Sequence, residues 1–566
     1  MHDLVIRGGA VVDGSGNPPV VADVAIDGAR ITAVSEGIGP AREELDAAGL
    51  LVTPGWVDLH THYDGQSTWD PWLAPSSWHG VTTAVMGNCG VGFAPVAPDR
   101  REWLIGLMEG VEDIPGTALH EGIRWEWETF PEYLDALGGM RRAVDIGAQV
   151  PHGALRCYVM GDRGADHEAV PTPEEIERMG LLAREAIEAG ALGFTTSRTA
   201  RHRSVDGRQT PSFTAGADEL LGIAGALAGL GRGVFEMVSD FGDIDSEMAL
   251  FREMSRVSGR PMSITTLQTW VPPVYDHHRV LDLIEQAAAE GVPLRGQVAA
   301  RGVGVLIGLE SHPRYHPLIA SPTYGQIADL PLADRVRELR RTEVRESILQ
   351  EVDSDSLILS RWPHAFQLDD PPRYDKPAEL HLLAVAAREG RTILEVAYDC
   401  MLERDGGGLI YIPGANYVDG DFGAVREMLT HPWTLPGLGD AGAHCTSICD
   451  ASFPTFLMTY WARDVAADQR LPVEWIVKRQ CADTAALVGL EDRGRVAPGL
   501  KADLNLIDFD ALEIRYPEML YDLPTGARRL VQRANGYRST LVNGEVTFID
   551  GQPTGNLPGR LVRSSA

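Results

Sequence analysis

The chain predicts an α/β fold, a (βα)8 TIM-like barrel with a small composite β-sandwich formed by its N- and C-terminal segments. Three observations predict it. Between residues 52 and 439 apolar strand-like runs alternate with amphipathic stretches, the signature of a parallel sheet covered by helices. Eight such runs can be counted, the number a barrel needs. Both ends of the chain carry short strands broken by glycine turns instead.

Taken in order, residues 3–52 hold strand patterns at Leu4-Val-Ile, Ala10-Val-Val, Val21-Ala-Asp-Val-Ala-Ile and Arg30-Ile-Thr-Ala-Val, separated by Gly-Gly, Asp-Gly and Gly-Pro. Half a sandwich cannot close a core. The other half is expected in Ala502-Asp-Leu-Asn-Leu-Ile-Asp and Ser539-Thr-Leu-Val-Asn-Gly-Glu-Val-Thr-Phe, so residues 1–52 and 495–566 are expected to form one discontinuous β domain around a barrel of residues 53–494. The barrel strands are expected at 52–62, 81–87, 154–160, 193–196, 233–238, 261–267, 294–299 and 434–439, with helices over 173–189, 217–229 and 278–290 between them. The interval of about 301–431 exceeds a normal connection and is expected to hold extra helices (332–352, 377–390) and a lid or cap.

Composition excludes several function classes. A formal net charge of −30 argues against nucleic acid and anionic membrane, both of which need a basic face. No apolar run approaches the roughly 20 residues that span a bilayer, and the N-terminus enters a strand pattern without signal-peptide features. Six cysteines in 566 residues are too sparse for a disulfide framework, so reduced thiols in a cytoplasm are expected. Barrels of this kind often assemble, so a homo-oligomer is also possible.

The chemistry gathers at the first strand, Pro54-Gly-Trp-Val-Asp-Leu-His60-Thr-His62-Tyr-Asp64. Side chains alternate along an extended chain, so His60 and His62 face the same way and can converge on one divalent ion. The carboxyl end of a barrel strand is where such chemistry sits. Spacing alone leaves surface or core histidines open as alternatives. Further polar residues fall at other strand ends: Cys89 in Gly87-Asn-Cys-Gly-Val-Gly92, His152, Arg198 and His202 in Thr195-Thr-Ser-Arg-Thr-Ala-Arg-His202, and Asp440 in Asp440-Ala-Gly-Ala-His444. A lone buried cysteine is more often a small core residue than a ligand.

These motifs, with Gly153-Ala-Leu-Arg-Cys-Tyr-Val-Met-Gly161 and Val496-Ala-Pro-Gly-Leu-Lys-Ala-Asp-Leu504, resemble the metal-dependent amidohydrolase superfamily and, within it, the D-aminoacylase (N-acyl-D-amino-acid deacylase) branch. The resemblance covers nearly the whole chain. It implies that His60, His62 and Cys89 are metal ligands and that Asp440 is both ligand and general base. It implies a divalent metal that activates water against a small-molecule amide; the ligand types favour Zn²⁺ and leave Mn²⁺, Fe²⁺ and Ni²⁺ open. The chain departs from that branch at two strand ends. Ile264-Thr-Thr-Leu-Gln268 stands where a His-Leu-Lys is usual, Val234-Phe-Glu-Met-Val-Ser239 stands where a second histidine is usual, and none of Lys376, Lys478 and Lys501 lies at a strand end to bridge two metals. Glu236, facing inward, is the expected replacement ligand, and Arg198, His202 and His152 are the expected substrate contacts.

The sequence therefore points to hydrolysis of a non-peptide C–N bond, foremost in N-acyl-D-amino acids. Cyclic amides or lactams are the alternative substrates. A barrel that binds without catalysing is the alternative from another class, and retention of both first-strand histidines and Asp440 speaks against it.

Overall fold

The structure, a computed structural model, describes residues 1–270, 274–354 and 362–564. Eight parallel strands form the barrel: β1 Trp56–Asp58, β2 Val81–Met86, β3 Asp145–Pro151, β4 Gly193–Arg198, β5 Val234–Ser239, β6 Met262–Thr265, β7 Leu294–Val298 and β8 Thr434–Pro436. Each pairs with its sequence neighbour. The ring closes just beyond the first and last strands, where Thr61 bridges Ala441 and the His62 N–H donates to the Ala441 carbonyl at 2.8 Å. Closure therefore brings the His-x-His segment and the Asp440 segment side by side.

The helices that cover the sheet include α1 Arg101–Glu112, α2 His152–Met160, α3 Pro173–Ala189, α4 Ala217–Ala226, α5 Ile244–Ser258 and α6 His277–Ala289. α3 shows why its sequence folds as it does. Thr172 and Glu175 form a reciprocal capping box, Pro173 occupies the first turn, and Gly190 ends the helix with φ +118°. Met179, Ala183, Ala186 and Ile187 fall on its buried face.

Two strand expectations are corrected. The third strand is Asp145–Pro151, and residues 154–160, expected as strand, are helix α2. The run expected as one strand over 52–62 is divided at Gly55 into Leu51–Pro54, which belongs to the terminal sheet, and β1. A Cβ at Gly55 would sit 2.1 Å from Cγ2 of Thr82, so only glycine lets the chain pass from one sheet to the other here.

The terminal segments share one nine-stranded sheet, with Leu51–Pro54 antiparallel to Leu504–Ile507 at the seam. Leu4, Ile6, Val24, Ile26, Val52, Leu504 and Leu541 fill its core. It is pinned to the barrel by Asp145 at the start of β3, whose carboxylate accepts from Lys501 Nζ (2.7 Å), Arg493 Nη1 (2.9 Å), Asn543 Nδ2 (3.0 Å) and the Arg560 N–H (2.7 Å). Burial opposes ionisation of Asp145, but Arg493 and Lys501 outweigh it and hold its carboxyl below the ordinary range.

Between β7 and β8 the chain builds a three-stranded sheet, Val303–Ile307, Phe366–Gln367 and Ile410–Ala415, with a separate apolar cluster that includes Leu318, Val336, Leu339, Tyr398 and Met401. The expected helix over 332–352 is two, Leu332–Leu339 and Thr342–Glu351. This segment reaches the barrel rim through His312, whose Nε2 lies 3.2 Å from Asp113 Oδ1, and through the Leu306 N–H donating to the Ser447 carbonyl at 2.6 Å. Among the described residues no helix is long and apolar enough to cross a membrane. All six cysteines are free thiols and buried.

Candidate metal centre

His60 and His62 lie in the extended segment after β1, on either side of the bridged Thr61, and are each 1% exposed. Their rings stand 5.4 Å apart, edge to face. Cys89 follows β2 in the left-handed region (φ +55°), between Gly87 and Gly90, where a Cβ would strike Gln149 O at 2.3 Å and Thr196 Cα at 3.0 Å respectively. The ligand atoms of His60, His62 and Cys89 all fall within 4.8 Å of one another. Cys89 Sγ is 3.3 Å from His60 Nε2.

Asp440, beyond β8, completes the group. Its Oδ1 lies 3.2 Å from His60 Nε2 and 3.6 Å from His62 Nε2. Asp440 and His444 also have left-handed backbones (φ +43° and +48°), a conformation that costs energy in non-glycine residues and collects at functional sites. Glu236 enters from β5, 2% exposed, with Oε2 accepting the Cys89 N–H at 3.0 Å and Oε1 without a hydrogen-bond partner.

The buried donors fit a divalent cation. His60 Nδ1 is 2.6 Å from Oε1 of Gln297 on β7, which makes Nδ1 the protonated nitrogen and leaves the Nε2 lone pair facing Cys89 and Asp440. Both ring nitrogens of His62 lack a hydrogen-bond partner. Burial pushes the His62 imidazole down to about 4, so it is neutral, the form that ligates. Burial, with Asp440 adding to it, pushes Glu236 up to about 7, while burial and the surrounding acids push the Cys89 thiol well up. Burial works against Asp440 too, but the nearby imidazoles, His62 first and then His60 and His444, outweigh it and hold the carboxyl well below the ordinary range. Acids that crowd one another around neutral imidazoles form a donor set whose charge a cation balances.

The three expected substrate contacts divide. His202 faces the site: Ser197 Oγ holds its Nδ1 at 2.8 Å, and burial with the neighbouring His444 and His62 lowers it to about 3. Arg198 and His152 are bonded to other protein groups and are not brought to the centre with His202. Arg198 forms a two-pronged pair with Glu247 (Nε–Oε1 2.6 Å, Nη2–Oε2 3.2 Å) and donates to the Ala215 carbonyl. His152 opens α2 between Thr196 Oγ1 (2.8 Å) and Glu219 Oε1 (3.2 Å), and Arg156 joins the same Glu219 oxygen at 2.9 Å. Both side chains hold helices to the barrel wall.

Two residues at the centre had no expected role. Glu112, which ends α1, places Oε2 3.4 Å from His62 Nε2, and His444 Nε2 lies 3.9 Å from the same oxygen. The Asp440-Ala-Gly-Ala-His444 motif carried a signal for His444. Nothing in the sequence distinguishes Glu112 from a solvated helix end.

An eight-stranded barrel with histidines after β1 and an aspartate after β8 defines a class, and the comparison with known proteins agrees with it. The chain belongs to the Amidohydrolase family, whose profile matches residues 43–376 and 379–548, and is thus a hydrolase acting on carbon–nitrogen bonds other than peptide bonds. It is 28% identical over 568 residues to a D-aminoacylase of Alcaligenes xylosoxydans xylosoxydans, covering 100% of this chain and 98% of that one. It is 28% identical over 573 residues to an N-acyl-D-glutamate deacylase of the same organism, covering 100% and 97%. Among solved structures it matches a D-aminoacylase described as having a binuclear metal centre with one-metal activation and second-metal attenuation, at TM-score 0.66 and 25% identity over 100% of both chains.

Proposed function

We propose that the protein is a zinc-dependent deacylase of N-acyl-D-amino acids, with the cation held by His60, His62, Cys89, Asp440 and Glu236. The observation that carries this reading is the approach of Asp440 Oδ1 to Nε2 of both His60 and His62, with the Cys89 thiol 3.3 Å from the same His60 nitrogen. Imidazole, thiolate and carboxylate donors together are a zinc set. The deacylase relatives, alike over the whole chain, support the substrate class.

A bound cation supplies Lewis-acid polarisation of the scissile carbonyl and acidifies water. The chain's own residues do the rest. Asp440, ionised at neutral pH, takes a proton from the attacking water as the water oxygen bonds to the carbonyl carbon. Return of that proton to the amide nitrogen lets the C–N bond break and releases a carboxylic acid and an amine, which pass the acid's proton between them to leave as carboxylate and ammonium. Gln297 keeps His60 in the tautomer this geometry needs, and His202 lines the approach from the β4 side. The free, buried thiols support a cytoplasmic setting.

A substrate panel tests the reading. Release of free amino acid from N-acetyl-D-amino acids, with the L-isomers and cyclic imides or lactams left intact, is the expected result. Turnover confined to cyclic amides would replace the substrate class, and no turnover across the panel with metal bound would contradict deacylation.

A further inference from the structure

We propose that Glu112 is itself a ligand of the divalent cation, supplied by the helix after β2 and not by a barrel strand. The proposal rests on the cation site described above and adds a residue to it from outside the strand ends.

Glu112 is 2% exposed, and its Oε1 has no hydrogen-bond partner. It is also the last residue of the twelve-residue helix α1, where the partial negative charge of the helix end disfavours an acid. A buried carboxylate in that setting is costly without a positive partner. The groups that face its Oε2 are two imidazoles, His62 at 3.4 Å and His444 at 3.9 Å.

The distances separate ligation from simple hydrogen bonding. Glu112 Oε2 and Asp440 Oδ1 approach the same nitrogen, Nε2 of His62, at 3.4 and 3.6 Å. One nitrogen carries at most one proton, and both separations exceed a normal N–H···O bond. They match the spacing between neighbouring ligands of one ion, which for bonds of about 2.0–2.2 Å in tetrahedral geometry is roughly 3.3–3.6 Å. The pairs His60 Nε2–Asp440 Oδ1 (3.2 Å) and His60 Nε2–Cys89 Sγ (3.3 Å) show the same spacing.

The placement of Glu112 is built into the fold. Asp113 turns the helix end with a left-handed φ of +54°. The His444 N–H then donates to the Glu112 carbonyl at 2.5 Å, the Cys445 N–H to the Asp113 carbonyl at 3.3 Å, and Ser447 Oγ to Asp113 Oδ2 at 3.2 Å. These bonds tie the end of α1 to the loop that carries Asp440. At the ends of β5 and β6, Val234-Phe-Glu-Met-Val-Ser239 and Ile264-Thr-Thr-Leu-Gln268 stand where the deacylase branch is expected to carry histidines, and Glu112 offers a further anionic donor beside His62.

The test titrates Co²⁺ into chelator-treated wild-type and Glu112→Gln proteins, reading affinity by competition with a chromophoric chelator and the ligand set by the visible absorption band. The variant is expected to melt like the wild type in EDTA, to bind Co²⁺ at least about 10-fold more weakly, since even groups that only support ligands are worth about 10–100-fold, and to show a changed band. Should Glu112→Gln fail to fold, Glu112→Asp, which keeps the charge one methylene back, is expected to show the same two changes to a smaller degree. Wild-type affinity in the variant, or weaker binding with an unchanged band, would overturn the proposal and leave Glu112 a positioning residue. Absence of Co²⁺ binding by the wild type would instead remove the cation site on which it rests.

Discussion

Oδ1 of Asp440 and Nε2 of His60 lie 3.2 Å apart, although one follows the last barrel strand and the other the first. That juxtaposition is a product of barrel closure at Thr61 and Ala441. It puts a carboxylate held well below its ordinary range beside the imidazole whose tautomer is fixed from behind. Asp440→Asn preserves shape and one coordinating oxygen but cannot take a proton. General-base assistance contributes about 10²- to 10⁴-fold, so kcat should fall on that scale while most of the metal is retained. A variant that keeps more than about a tenth of wild-type kcat, outside that range, would place the base elsewhere.

Gln297 gives a second prediction because it touches His60 from the side away from the site, with Oε1 2.6 Å from Nδ1. Gln297→Leu removes the acceptor that fixes the imidazole. Metal affinity should drop about 10–100-fold, the usual loss when the outer partner of a ligating histidine is removed. Dissociation constants for Zn²⁺ in the two proteins decide it, and equal values would mean that barrel packing alone orients the ring.

Asp145 yields a stability prediction independent of the metal. Its carboxylate, 0% exposed, gathers Arg493, Lys501, Asn543 and the Arg560 N–H, so Asp145→Asn strands buried cations. Removing one partner of a buried pair costs about 3–5 kcal/mol, and chemical denaturation should report a loss of that size. The pH sign follows from the depressed folded pKa. The contribution is complete above the unfolded value of about 3.9 and is lost as pH falls through the folded value. Wild type and variant should therefore differ fully at neutral pH and converge below about pH 4, the unfolded carboxyl range. A difference that grew on acidification would contradict the assignment.

How much of this was legible in the sequence depended on whether position or long-range contact decided the matter. His60 and His62 stand out in the sequence because alternation along an extended chain is a local property, whereas the expected roles of Cys89 and Asp440 come from the family resemblance. The third strand was misplaced because Asp145–Pro151 carries Asp145, Gly147 and Gln149, polar or small residues whose partners lie far along the chain, whereas the more apolar Ala-Leu-Arg-Cys-Tyr-Val-Met run is a helix. Arg198 and His152 were assigned to substrate because a strand-end position says nothing about a partner such as Glu247 or Glu219, each supplied by a later helix. Glu112 drew no expectation for the same reason. Its meaning comes from the fold-back of α1 onto His62 and His444, and no spacing within the helix encodes that contact.

The measurement that tests the central claim most directly is metal content with amide hydrolysis, taken together on the wild type and a His60→Ala, His62→Ala double variant. Both histidines, though buried, sit beyond β1 among the polar groups of the site and not in the apolar core, so the variant should fold with a wild-type circular dichroism spectrum. The wild type should hold divalent metal, lose hydrolysis on chelation and regain it with Zn²⁺, while the double variant should hold no metal above background and hydrolyse nothing. Full metal occupancy in the double variant, or hydrolysis by wild type that survives complete removal of metal, would contradict the account.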